Sequence, residues 1–320
     1  MNLQQIFKEN FPSLDFLFNH PLSSKSYFKI GGNAEVFYSA KTRQEAADLL
    51  SFCNKNNINF YILGGASNVI IADEGLKGLV LSLDFKELEF IKDTEQELVI
   101  RADAGVKTSH LVAQAANRGG AGLEGFIGVP GTLGGAIYNN AHYLENLIGN
   151  HIQEVETFDV KKGEIVVFSH ENCEFAYEKS VFQKNKHLLI FSAVFVLKKG
   201  DSEKIKEIIK ASMERRESRQ PLNLPSCGCV FQNPKNTAEL KKLFPKFSEA
   251  EFIPSGFLIE QAGLKGMREG DIQVSEKHSA FFVNLGKGKA SDVKKLVAKV
   301  KAVVLEKFGV ILKEEVFYLN

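Results

Sequence analysis

Glycines clustered beside small polar side chains let a ligand lie directly on the main chain, and this sequence has two such segments. The first is Gly64-Gly65-Ala66-Ser67-Asn68, running into Val69. Ser67 and Asn68 add side-chain donors for phosphate or ribose oxygens, so a diphosphate fits there. The second spans residues 125–140, with five glycines in its first eleven positions. Ile127, Gly128, Val129, Pro130, Gly131, Thr132, Gly134, Gly135, Asn139 and Asn140 are its candidate contacts. Pro130-Gly131 fixes a turn, and the amides from Thr132 to Ala136 are expected to converge as a nest on an anion. The bland alternatives are a tight turn for the first segment and a glycine-rich linker for the second. Two such loops in one chain favour a single extended ligand clamped between two subdomains, and FAD has that shape. A Rossmann fingerprint is excluded, because that motif opens a helix whereas the first loop leads from one strand into another.

Other residue types that carry chemistry are sparse. Cys53, Cys173, Cys227 and Cys229 are too few and too irregular for a disulfide framework, and the Cys227-Gly228-Cys229 pair has no second ligand pair nearby. No metal is expected.

The elements that must position these residues follow from periodicity. Thr42 and Glu45 form a capping box ahead of Ala46, Ala47, Leu49, Leu50 and Cys53, which fall at helical spacing. Strands are expected over residues 58–63, 69–71, 78–83, 88–91 and 98–102, with a helix over 108–117 stopped by Gly119-Gly120. The runs 152–160, 164–168 and 188–197 read as a mostly antiparallel sheet. A charged helix over 202–217 leads to a last stretch. It holds a helix near 256–262, a strand over 280–285, a helix N-capped by Ser291 and closed at Gly309, and a terminal strand over 315–319. Neither a repeat nor a low-complexity tract is visible. At 320 residues the chain exceeds the usual single domain, and 40 basic against 39 acidic residues give a formal charge of +1. That balance offers no field to gather nucleic acid or anionic membrane, so neither is an expected partner. No apolar run approaches membrane-span length and the first ten residues do not read as a signal peptide, so cytoplasm is the expected compartment.

The two glycine segments, taken with Pro225-Ser226-Cys227-Gly228-Cys229-Val230-Phe231-Gln232-Asn233-Pro234, resemble the UDP-N-acetylenolpyruvoylglucosamine reductase family of bacterial cell-wall synthesis. The residues 215–222, 275–278 and 308–316 continue the likeness in the same order. It implies an α+β fold: a two-subdomain FAD-binding fold of the vanillyl-alcohol-oxidase type, plus a C-terminal α+β substrate domain. The expected boundaries are 1–83, 84–203 and 204–311, with residues 312–320 returning to the first subdomain. The resemblance also implies that NADPH reduces the flavin, that flavin N5 passes a hydride to the enolpyruvyl group of the UDP-sugar, and that both substrates use one cleft in turn. A monomer is expected.

By the same resemblance Cys229 is the proton donor, where most relatives carry serine, and Glu315 is a second catalytic group, with Glu314 its solvated neighbour. Tyr177, Arg219, Asn233 and His278 would contact the UDP-sugar. The chain departs from the family at two places. Glu178 occupies the position of an arginine that stabilises the enolate, so that role does not carry over, and Arg215, Arg216 or Lys179 is a candidate substitute. The glycine segment continues as Asn140-Ala141-His142, where relatives have glycine for His142, a surface residue or a surrogate cation. The alternatives are another FAD oxidase of the same fold, or a flavin-binding redox sensor that uses Cys227 and Cys229.

Overall fold

Alternating apolar residues along the middle of the chain pair into an antiparallel sheet whose buried face carries Ile100, Val155, Ala193 and Phe195. The strands lie in the order Glu164–Ser169, Ile152–Asp159, Leu188–Lys199, Glu97–Asp103 and Leu88–Asp93, and each neighbouring pair is antiparallel, as expected from the sequence. Against that face packs the helix Thr108–Asn117, which buries Thr108, Leu111, Val112 and Ala115 along one stripe. A second sheet in the order Leu17–Pro21, Asn33–Ala40, Leu76–Leu83 and Phe60–Ile62 has its own core with the helix Arg43–Lys55. Phe7, Phe11, Phe16 and Phe52 extend that core as a group of edge-to-face and tilted rings, with ring centroids 5.1–6.4 Å apart. Phe7 and Phe11 belong to or follow the helix Leu3–Asn10, which the sequence pattern did not reveal.

The computed structural model describes residues 2–320. They divide into two units: one comprises the chain to His20, Ala34–Gly65 and Lys77–Arg216, the other Pro21–Asn33, Ala66–Leu76 and Glu217–Asn320. The second unit is built on an antiparallel sheet, Ser226–Cys229, Phe281–Asn284, Ile272–Val274 and Arg268–Glu269, backed by the helix Ala290–Phe308. The terminal strand is Phe317–Leu319, shorter than expected, and it pairs in parallel with Val69–Ile71 within this same unit. Among the described residues no helix is long and apolar enough to cross a membrane.

Two caps differ from the sequence reading. Thr42 Oγ1 accepts from Glu45 N at 3.1 Å as expected, but the Glu45 carboxylate accepts from Lys41 N and Tyr38 Oη rather than from Thr42, so the reciprocal half of the box has moved. The helix Ala290–Phe308 starts one residue before Ser291, with Lys289 at its N-cap. Its first amides are instead satisfied by Asp73, whose carboxylate accepts from Ala290 N at 2.7 Å and Ser291 N at 3.0 Å. At the other end Gly309 takes φ +67° and closes the last turn, as expected.

Burial acts to push the Asp73 carboxyl up, but the hydrogen bonds from Ser291 and Ala290 outweigh it and hold the group below its ordinary value. A carboxyl depressed by folding contributes stability above its unfolded value near pH 4, and loses it as the pH falls through the folded value. Asp73→Asn is therefore expected to cost about 1 kcal/mol at pH 7, and the gap to the wild type should close in strong acid. Urea unfolding at both pH values checks this; equal stability of the two proteins at pH 7 would contradict it.

Candidate functional site

In the first unit the two glycine segments are in contact through main chain. The strand Phe60–Ile62 runs on by a bond from Leu63 N to Leu81 O and delivers Gly64 and Gly65. A Cβ on Gly65 would lie 2.4 Å from Gly131 Cα, and one on Gly64 would lie 2.7 Å from Thr132 Oγ1. Any side chain at Gly65 would thus force the two segments apart.

The expected nest of free amides does not form over 132–136. Leu133, Ala136 and Ile137 are apolar at helical spacing and fold the segment into the helix Leu133–Asn139, buried on that face. Leu133 N then bonds Val106 O, Gly134 N bonds Ala104 O and Ala136 N bonds Thr132 O, so those donors are consumed. Gly64, Gly128 and Gly135 nevertheless stay exposed, and a Cβ on Gly135 would meet nothing nearer than Thr132 Oγ1 at 4.0 Å. Bare main chain along both segments suits an extended dinucleotide such as FAD, which needs close approach more than it needs a nest.

The two asparagines at the end of this helix are held internally. Asn139 Oδ1 accepts from Gln183 Nε2 at 3.3 Å. Asn140 is fully buried in the left-handed conformation, donates from Nδ2 to Ala176 O at 2.7 Å and accepts at Oδ1 from Gly149 N at 2.9 Å. It thereby pins the turn that carries Tyr177 and Glu178 to the end of the cofactor helix. There His142 Nδ1 lies 2.9 Å from Glu178 Oε1, and the His142 and Tyr177 rings are 4.9 Å apart. His142 is thus engaged with a carboxylate, not a free surface histidine. Of the candidate substitute cations, Arg215 and Lys179 are exposed. Arg216 is half-buried, donates from Nη2 to Gly125 O at 3.2 Å and lies 4.8 Å over the Tyr143 ring.

In the second unit Ser67 and Asn68 lead into Val69–Ile71, with Ala66 at φ +49°. Asn68 Nδ2 donates to Glu315 O at 3.3 Å, and Glu315 N donates to Val230 O at 2.8 Å. That pair of bonds places Glu315 against the residue following Cys229. The strand Ser226–Cys229 carries a register shift between Ser226 and Cys229 against Phe281–Asn284. An irregularity of this kind re-aims side chains. It separates the two thiols: Cys227 is buried and its thiol is pushed up to about 12 by burial, while Cys229 is half-buried. A core thiol held protonated in this way is a poor partner for the Cys227–Cys229 redox switch. Glu314 is not solvated as expected; Lys301 Nζ at 3.0 Å and Tyr318 Oη hold its carboxylate.

The remaining expected contacts fall in the same unit. Asn233 Oδ1 accepts from Ser255 N at 2.9 Å at the start of the helix Ser255–Gln261. Arg219 is exposed at the last position of the helix Ser202–Arg219. Burial pushes His278 down, the Arg219 guanidinium adds to the effect, and its Nδ1 is buried without a hydrogen-bond partner. A neutral imidazole with an unmet polar atom is suited to receive a ligand group. Gln183 and Asn140 escaped sequence reasoning in the roles they play, because an amide's partner is set by folding across the chain.

Comparison with known proteins finds relatives over nearly the whole chain. The family described as UDP-N-acetylenolpyruvoylglucosamine reductase, C-terminal domain, matches residues 220–319, and the FAD binding domain family matches residues 34–169. A UDP-N-acetylenolpyruvoylglucosamine reductase of Lachnoclostridium phytofermentans is 36% identical over 299 residues, covering 93% of this chain and 91% of the relative. One of Streptococcus thermophilus is 34% identical over 316 residues, covering 99% and 97%. The crystal structure of UDP-N-acetylenolpyruvylglucosamine reductase from Thermus caldophilus superposes with a TM-score of 0.74 at 27% identity, covering 96% of this chain and 99% of that one. The α+β class and the FAD-binding fold expected from the sequence therefore stand, and the chain belongs to the UDP-N-acetylenolpyruvoylglucosamine reductase family.

Proposed function

We propose that this chain reduces the enolpyruvyl double bond of UDP-N-acetylenolpyruvoylglucosamine to give UDP-N-acetylmuramate, with FAD bound and NADPH as co-substrate. The observation within the fold that supports the reading is the bond from Glu315 N to Val230 O, which brings the main chain of Glu315 to the residue following the half-buried Cys229. FAD, when bound, supplies the hydride that it takes from NADPH. Gly64, Gly65, Gly128, Gly131, Gly134 and Gly135 give it bare main chain, with Ile127, Val129, Pro130 and Thr132 between them and Ala66, Ser67, Asn68 and Val69 following the first pair. Asn139 and Asn140 act through the local structure they hold, since their side chains are bonded internally.

Addition of hydride to the enol ether leaves negative charge on the neighbouring carbon and its carboxylate. Cys229 Sγ–H gives its proton to that carbon, and the thiolate regains one from solvent. A thiol, with an ordinary pKa near 8.5, is a far stronger acid than the serine hydroxyl found in most relatives, so the exchange favours the transfer. Glu315 orients the carboxylate end of the substrate through a shared proton. Arg219, at the exposed end of its helix, grips diphosphate oxygens, and Tyr177, Asn233 and His278 complete the binding of the UDP-sugar. NADPH and the sugar nucleotide use the same site in turn.

Residues 1–83 and 84–203 are two flavin-binding subdomains, a division supported by two separate sheets and two separate cores. Residues 204–311 form the substrate domain, and residues 312–320 complete the first subdomain through their pairing with Val69–Ile71. The enzyme works as a cytoplasmic monomer without nucleic-acid or membrane partners, a reading supported by the formal charge of +1.

Two measurements test this. NADPH should bleach the flavin of the purified holoenzyme, and UDP-N-acetylenolpyruvoylglucosamine should restore its colour under anaerobic conditions. Recolouring by oxygen alone, with no response to the sugar nucleotide, would mark an oxidase instead. Cys229→Ala should slow the substrate-driven recolouring by roughly 10²–10⁴-fold and Cys229→Ser by less, with bleaching by NADPH unaffected. A wild-type recolouring rate in Cys229→Ala would remove Cys229 from the mechanism.

A further inference from the structure

Glu178 is an unusual residue on three counts. It takes φ +56° at the third position of a tight turn, closed by bonds from Ala176 N to Lys179 O at 3.1 Å and from Lys179 N to Ala176 O at 3.0 Å. Glycine or asparagine normally fills that position, and strain of this kind persists only where the surroundings impose it. Its side chain is 1% exposed. Neither carboxylate oxygen has a hydrogen-bond partner. A carboxylate buried to this depth needs either a proton or an opposite charge beside it.

His142 is the partner that the fold sets beside it. Its Nδ1 stands 2.9 Å from Glu178 Oε1, close enough for an ion pair though off the line of a hydrogen bond, and its side chain keeps 23% exposure. The ring is therefore anchored on one side and reachable from outside. Both members are tied to the cofactor helix. Asn140, at the end of that helix, holds the Glu178 turn through Ala176 O, and His142 follows Asn140 by two residues. His142 opens a two-stranded hairpin, paired with Leu147, whose Tyr143 ring packs so tightly on the second glycine segment that a Cβ on Gly125 would lie 2.2 Å from it. A pair this constrained has a fixed position relative to the glycine segments.

We propose that His142 and Glu178 together replace the arginine of the family. Glu178 holds the imidazole in place, acting as a positioning residue. His142 donates a hydrogen bond from its ring to the negative charge that develops on the enolpyruvyl group during reduction. The pair neither makes nor breaks a covalent bond. The carboxylate at the arginine position stays inside the protein while the ring above it remains reachable from outside, so the group presented to a ligand is the imidazole. Arg216 is the rival cation, but its guanidinium is already engaged by Gly125 O and the Tyr143 ring.

The inference rests on the reductase reading, and rapid-mixing experiments on the holoenzyme distinguish the two. If wild-type reduced flavin fails to reoxidise with UDP-N-acetylenolpyruvoylglucosamine, the reductase reading falls and this inference with it. If the wild type responds, His142→Gln should slow that reoxidation by about 10²-fold while NADPH still reduces the flavin at the wild-type rate. Glu178→Gln should slow it too, and the double variant should be no slower than the worse single one, since the residues act as a unit. Added imidazole should speed His142→Gly only while Glu178 is present. By calorimetry, affinity for UDP-N-acetylmuramate, which keeps the carboxylate, should fall about tenfold in His142→Gln. Should Glu178→Gln fail to fold with FAD, the His142 variants and the imidazole response decide alone. Wild-type reoxidation in His142→Gln, or loss of the step only in Arg216→Met, overturns the proposal.

Discussion

A single steric constraint underlies the cofactor-binding unit: the main chain at Gly65 passes so close to Gly131 that a methyl group would sit 2.4 Å from its Cα. Residues 64–65 leave one sheet and residues 128–135 leave the other, so this approach fixes the two layers against each other. Other glycines of the same segments, Gly64, Gly128 and Gly135, keep their main chain bare. Packing and ligand access therefore draw on the same property, the missing Cβ, and substitution at either loop would damage both. That is a different use of glycine from the anion nest expected over 132–136. Three of the amides there bond to carbonyls of the chain, and the helix Leu133–Asn139 takes up the segment.

The second unit depends on a different kind of bond. Its terminal strand closes beside Val69–Ile71, and Glu315 reaches Val230 and Asn68 through main-chain groups. Main-chain bonds position Glu315 irrespective of its side chain. The register shift ahead of Cys229 does comparable work for the thiol. Two cysteines two residues apart would normally face the same side of a strand. Here one is in the core and the other is half-buried.

Much of the scaffold was legible in the sequence because the signals are local. The antiparallel runs from Ile152 to Lys199, the helix Thr108–Asn117 and the closing Gly309 each follow from periodicity or from one residue's conformational preference. Ser291 failed as an N-cap because the competing acceptor, Asp73, lies 218 positions away in sequence from the amide it bonds. The hairpin of Arg268–Glu269 and Ile272–Val274 and the strand Asn33–Ala40 went unseen for a related reason, since short or mixed runs become strands only when a partner edge exists. Glu314 was misjudged on alternation alone: it does lie off the Glu315 side, but Lys301 and Tyr318 wait there rather than solvent.

The departures from the family show where sequence reading reaches its limit. His142 and Glu178 each look like a loss when taken alone, one a bulky ring where the resemblance leads one to expect glycine, the other a negative charge where it leads one to expect arginine. Thirty-six positions separate them, and no local pattern links the two. Folding places them 2.9 Å apart, and the pairing changes the meaning of both. On the proposed reading, a half-exposed imidazole over a buried carboxylate stands in for an arginine. This shortens the reach of the donor from a long flexible side chain to a ring on a pinned hairpin. Such an exchange requires both residues and the turn at φ +56° to be in place together, because either change alone would leave a buried charge unpaired or a cavity without its donor. The strain at Glu178 is then intelligible as the geometry needed to turn its carboxylate inward beneath the ring.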